Sequence, residues 1–201
     1  MSLGENVFCT TEEVWTYLNP SDEDRDNYEG LMEIWLNAAS YNLEGFLHRP
    51  VKHRRFDDYQ DGNDRKSLLV DNYPISSMHT IEVFTGTTYI ISPLRENREC
   101  VIDYRCGLIT LLYNAPLGCW PCGRQNVHLV YEAGFYGYEL DAFKPVIFET
   151  VETYYRDMGA NPRLQQLSES IGNSYFTGRF DPSKMSHQAQ MIVQQYGRIG
   201  V

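Results

Sequence analysis

The sequence predicts an α+β fold: a small helical bundle, an inserted antiparallel β-rich region, and a C-terminal extended segment plus helix. Three observations carry that expectation. Apolar residues recur at helical spacing behind N-cap signals between Thr10 and Leu47. Short extended runs bounded by turn residues replace them from Val51 to Phe135, and the helical period returns after Asp141. The expected division is residues 1–163 as the bundle carrying the insertion (about 51–135), with 164–201 as a connector segment and helix.

The elements follow in order. Thr10 and Glu13 have capping-box spacing, in which each side chain satisfies a backbone N–H at a helix start; Val14, Trp15 and Leu18 give that helix an apolar face, and Asn19-Pro20 ends it. A second helix starts at Ser21, whose following acids Asp22, Glu23 and Asp24 suit the positive end of a helix dipole, and runs to about Leu47. Leu31, Ile34, Trp35 and Ala38 form its expected main stripe, widened by Leu36, Ala39, Leu43, Phe46 and Leu47. Arg49-Pro50 stops it, because proline pushes the preceding residue out of the helical region.

Seven runs then read as strands: Val51–Tyr59, Leu68–Val70, His79–Phe84, Thr88–Ile91, Val101–Tyr104, Leu108–Leu112 and Val127–Tyr131. Asp61-Gly62, Thr85-Gly86 and Cys106-Gly107 are the expected turns. A helix from Asp141 to Met158 is read from Phe143, Val146, Ile147, Thr150, Val151, Tyr154 and Tyr155, with Gly159–Pro162 as its breaker. A polar connector, Leu164–Arg179, precedes a last amphipathic helix capped by Asp181-Pro182 and carrying Met185, Ala189, Ile192, Val193, Tyr196 and Ile199.

The chain has 201 residues and a formal charge of −10. A dedicated nucleic-acid binder holds phosphates with clustered Lys and Arg, so this balance argues against one. The acid is lopsided: within the first thirty residues, Glu5, Glu12, Glu13, Asp22, Glu23, Asp24, Asp26 and Glu29 face Arg25 alone. With 42% apolar and 22% charged residues the chain has globular composition, and its 15 tyrosines, against 3 tryptophans, suit contact surfaces with one polar end left wet. No apolar stretch is long enough for a membrane helix, and Met1–Thr10 lacks the blocks of a signal peptide, which together predict a soluble cytoplasmic product with no membrane partner.

The search for chemistry returns little. Cys119-Trp120-Pro121-Cys122 could chelate a metal or exchange disulfides, but no second CxxC pair accompanies it, only Cys100 and Cys106. The preferred reading is a Pro/Gly-rich loop with incidental thiols, and an odd count of five cysteines fits a reducing compartment. Asp57, Asp58, Asp61, Gly62 and Asp64 suggest a calcium loop, but the register puts Tyr59 at the third loop position and Leu68 where the bidentate Glu should stand, so a solvated hairpin turn is read instead. His48, His53, His79, His128 and His187 are scattered without metalloprotease spacing. No nucleophile elbow, P-loop or dinucleotide fingerprint is present. Lys52-His53-Arg54-Arg55 reads as an exposed strand end, with an acidic partner face or a phosphate as the alternative. No catalytic, cofactor or metal residues are assigned; a rival thiol- or metal-dependent enzyme would draw on Cys119, Cys122 and His128.

The long helix Leu31–Arg49, the run Leu68-Leu69-Val70-Asp71-Asn72-Tyr73-Pro74-Ile75, a strand at Ile81–Phe84, and Tyr131-Glu132-Ala133-Gly134-Phe135 together resemble the head-tail connector proteins of tailed phages, also called adaptor or head-completion proteins. The helix bearing Tyr154-Tyr155-Arg156, the segment Ser168–Tyr175 and a last helix ending near Tyr196-Gly197-Arg198 extend the likeness. Thr85–Gly123 is longer and richer in cysteine than the family pattern. The resemblance implies a structural virion protein without catalytic role, assembled in the bacterial cytoplasm and located at the head-tail junction. It implies self-association into a ring, commonly a dodecamer, beneath a portal protein, with a tail or stopper protein as further partner. DNA would pass through without specific binding, and the C-terminal segment, roughly Ser168–Arg198, would reach a neighbouring subunit or the portal.

Overall fold

The computed structural model describes residues 3–84, 94–160 and 182–196. The chain divides into two units, Met1–Lys52 with Tyr136–Val201, and His53–Phe135. The fold is α+β; among the described residues the helices lie in the first unit and the strands in the second.

In the helical unit, α1 (Thr11–Leu18) opens with the expected capping box: Glu13 N–H donates to Thr10 Oγ1 at 3.2 Å and Thr10 N–H donates to Glu13 Oε2 at 2.8 Å. Helix α2 (Asp22–Leu47) starts at the Ser21 cap and ends at His48, which takes the left-handed conformation. The Glu44 carboxylate accepts Val51 N–H at 2.8 Å, so the chain leaving the helix has a partner for a buried donor. The buried face of α2 is Tyr28, Met32, Trp35, Leu36, Ala39, Leu43 and Leu47, rotated from the stripe the sequence suggested: Leu31, Ile34 and Ala38 are half-buried and Phe46 is exposed. Several helices share the burial, and local periodicity cannot decide which edge of a wide stripe goes deepest.

The expected Asp141–Met158 helix is α4 (Lys144–Ala160), preceded by a single helical turn, α3 (Tyr138–Asp141). Phe143, Val146, Ile147, Val151 and Tyr154 are buried, and α4 contacts α1, α2 and the C-terminal helix. Tyr155 meets Tyr28 and Trp35 edge-on at 5.6 and 6.4 Å, a geometry that puts the positive edge of one ring against the negative face of another. Pro182 does not open the last helix as expected. It begins a 3-10 turn, Pro182–Lys184, and α5 spans His187–Tyr196. Ser186 supplies the cap: its Oγ accepts Ala189 N–H at 3.3 Å, while its own N–H and O–H donate to Glu149 at 2.7 and 2.6 Å. The expected connector Leu164–Arg179, the Asp181 cap and Ile199 lie outside the described residues.

In the β unit, β1 (Arg54–Gly62), β3 (Ile75–Val83) and β6 (Gly123–Ala133) form one antiparallel sheet with β6 central. A second sheet has β5 (Leu108–Leu111) between β2 (Ser67–Leu69) and β4 (Cys100–Asp103). One core serves both: Val127, Leu129 and Tyr131 of β6 join Ile81, Leu68, Ile102, Ile109 and Trp120. The unit closes at its base, where His53 N–H donates to the Phe135 carbonyl at 3.0 Å.

The Cys106-Gly107 turn stands as expected, with Gly107 at φ 71°. Asp61-Gly62 does not form a turn. Gly62 is the last residue of β1, paired with Gly123, and a Cβ there would lie 1.8 Å from the Pro121 carbonyl oxygen, so close backbone approach explains this glycine. The turn Thr85-Gly86 and the strand Thr88–Ile91 fall outside the described residues.

Candidate functional site

Pairing register and alternation decide where the chemistry-bearing side chains go. The acidic residues read as a solvated hairpin turn rather than a calcium loop are mostly strand residues, so they diverge. Asp57 points to the outer sheet face and meets His128, whereas Asp58 points inward and accepts the Tyr131 hydroxyl at 2.7 Å and the Asn72 amide at 3.1 Å. Asp61 accepts Gln125 N–H at 2.7 Å, and Asp64 accepts the Cys119 thiol at 3.1 Å. The four carboxylates thus serve different partners, and they are neither a cation ring nor a simple solvated hairpin. Burial, then the Asp58 hydrogen bond, pushes the Tyr131 hydroxyl's pKa well up, so it remains a donor.

The Cys119–Cys122 loop is built around its tryptophan. Trp120 is fully buried in the shared core and its indole N–H donates to the Lys66 carbonyl at 3.1 Å. Its flanking thiols lie outside that core, Cys119 half-buried and Cys122 exposed. All five cysteines are free, and among the described residues no group of three or more His, Cys, Asp or Glu side chains could hold a metal ion. The Asp64 hydrogen bond, with some burial, raises the Cys119 pKa, which disfavours the thiolate that a nucleophile or redox thiol requires. Cys100 lies in the core, where burial pushes its pKa up to about 11.

The basic run disperses as well. Lys52 donates to the Val7 carbonyl at 2.8 Å, His53 Nε2 is 2.8 Å from Ser76 Oγ, and the Arg54 guanidinium lies over the Phe56 ring at 5.3 Å. His48 is a helix cap and His187 begins α5.

Local sequence did not reveal the network on the outer face of the β1–β6–β3 sheet. His128 Nε2 is 2.8 Å from Asp57 Oδ1, its Nδ1 is 3.0 Å from Glu82 Oε2, and its ring stacks on Tyr59 at 4.4 Å and 10°. No thiol is among these partners, so the structure does not assemble the Cys119, Cys122 and His128 site of the rival enzyme reading. Further along the face, Glu132 is 3.3 Å from both His79 and Ser77, and 3.7 Å from His53. The alternation Asp57/Tyr59, His128/Glu132 was visible in each strand, but the partners are 46 to 71 residues apart, and only the register joins them.

In the helical unit a shallow cleft of about 270 Å³ is lined by Tyr17, Glu149, Glu152, Arg156, Lys184 and Ser186. Its acids already have partners: Glu149 holds Ser186, and Glu152 binds Arg156 and Tyr17. Among the described residues, the exposed surface includes the large aromatics Tyr41, Tyr113, Tyr136 and Tyr138 and the acidic start of α2 at Asp22, Glu23, Asp26 and Glu29. They suit contact with other macromolecules better than turnover of a small substrate. No described helix is long and apolar enough to cross a membrane.

No protein-family model matches the chain, and no curated protein matches it. Solved structures do. A chain in the neck of the native gene transfer agent particle, determined with C12 symmetry, has a TM-score of 0.55 at 16% identity, covering 100% of this chain and 97% of that one. A chain in the neck of the empty particle, determined with C6 symmetry, has a TM-score of 0.53 at 12% identity and covers 100% and 95%. A chain of the native particle's virion has a TM-score of 0.55 at 10% identity and covers 100% and 94%. The described residues therefore share a fold with chains found in gene transfer agent particles, two of them in the neck.

Proposed function

We propose that this protein is a structural component of the head-tail junction of a phage-like particle. Many copies would form a ring beneath the portal, through which DNA passes, and the protein would have no catalytic role. The observation that carries this reading is the mutual, near-complete coverage between this chain and chains in a neck determined with twelvefold symmetry. In such a ring each copy's face meets a different face of the next, and the arrangement closes when the rotation divides the circle. The exposed tyrosines are suited to those contacts, and a net charge of −10 suits a conduit, because an acidic wall repels a passing phosphate backbone.

The portal, and a tail or stopper protein, are the partners above and below. Residues 164–201 would contact a neighbouring copy or the portal, and truncation after Met158 should then abolish ring assembly and portal binding together. The decisive genetic test is deletion of this chain in a particle that encodes it. Heads without joined tails support the role, and normal tailed particles overturn it. Complementation with Cys119→Ser/Cys122→Ser should restore tailed particles in full. Failure of that folded variant would move the reading towards thiol chemistry.

A further inference from the structure

The outer face of the β1–β6–β3 sheet carries three of the chain's five histidines, His53, His79 and His128, interleaved with Asp57, Glu82 and Glu132. His128 stands apart, because each of its ring nitrogens faces a carboxylate oxygen, at 2.8 and 3.0 Å. A neutral imidazole has one N–H donor and one lone pair, and the lone pair would oppose whichever carboxylate it faced. Only the imidazolium donates from both nitrogens. Its two acceptors sit on the two edge strands of the sheet while His128 sits on the central one, so a single proton ties all three strands together.

We propose that this triad is a proton-dependent fastener. His128 is held as an imidazolium that joins β1 to β3 across β6, and the fastener releases as pH rises. The titratable groups facing it are Asp57 and Tyr59 of β1 and Glu82 of β3; Tyr59 also stacks on Phe84 at 6.5 Å. Burial opposes the charged ring, but the hydrogen bonds to Glu82 and Asp57 outweigh it and raise the pKa. The sign follows: the bridge contributes its full stabilisation below the unfolded histidine value of about 6.5 and loses it as pH climbs through the raised folded value. Release also adds one negative charge to the face, leaving Asp57 and Glu82 without their shared cation. This device is independent of the ring assignment and would operate in a single copy.

The test is a proton titration of His128 by NMR on the full-length protein, alongside Asp57→Asn and Glu82→Gln. Both substituted side chains reach solvent, with 67% and 37% exposure, so folding should survive; if either variant fails to fold, the wild-type midpoint decides. We expect a wild-type midpoint above about 6.5, lowered in each variant, and a fall in chemical stability between neutral and alkaline pH that is smaller in His128→Gln. A midpoint at or below the ordinary histidine value, or one that either folded variant leaves unmoved, overturns the proposal. So does an alkaline stability loss equal in wild type and His128→Gln.

Discussion

The helical and β units use their polar side chains in opposite ways. In the helical unit they sit at element ends: the Thr10–Glu13 box, the Ser21 cap and Ser186 on Glu149 fix where helices start, while the interior is held by apolar and aromatic packing. In the β unit they lie across the strands: Asp58 on Tyr131 and Asn72 inside, Asp57–His128–Glu82 outside. The difference follows from geometry. A helix satisfies its backbone locally and leaves only its termini in need of caps, whereas a strand's side chains meet those of strands far away in sequence. Mutations that respect this contrast should separate the units.

The largest effects should come from the two cores. Trp35→Ala in α2 and Trp120→Ala between the sheets each remove a fully buried indole, at about 3–5 kcal/mol. Denaturant unfolding followed by near-ultraviolet dichroism should show both losses, and Trp120→Ala also leaves the Lys66 carbonyl with Leu111 N–H alone of its two donors. If Trp120→Ala costs no more than a surface change, the account of the Cys119–Cys122 loop as a core plug fails. Next comes Gly62→Ala, whose added methyl meets backbone rather than a movable side chain; it should cost about 1–3 kcal/mol and shift amide resonances around Pro121 and Asn126. A smaller loss, about 1 kcal/mol, is expected for Thr10→Ala, read as a lower denaturation midpoint with β-unit resonances unchanged.

The subtlest contrast is in pH. The hydrogen bond from Lys144 holds the Glu13 carboxyl below its ordinary range, so that contact stabilises above the unfolded carboxylate pKa and is lost as pH falls through the lowered folded value. His128 has the opposite dependence. Glu13→Gln should therefore flatten the acid limb of helical-unit stability while leaving the alkaline limb of the β unit intact.

The same contrast explains what could be read from sequence. Caps and helix faces are local, so Thr10–Glu13, Ser21 and the Phe143–Tyr154 period were legible, whereas the rotation of the α2 stripe and the start of the last helix after Ser186 rather than at Pro182 were missed. Strand texture and the Cys106-Gly107 turn were legible too. The assignment of Asp61-Gly62 as a turn failed because its glycine answers to Pro121, far along the chain. The His128 network escaped for a related reason: its members lie on three strands, and no spacing within one strand marks them. Equally, the dispersal of the Asp57–Asp64 acids follows from period-two alternation once those residues are known to be strand.

The central claim is assembly at a head-tail junction, and native mass spectrometry of the purified protein, alone and with its cognate portal under reducing conditions, tests it most directly. The account predicts a metal-free chain that becomes a ring-sized complex on the portal, whether or not it assembles alone. A chain that carries stoichiometric metal and stays off the portal would contradict it.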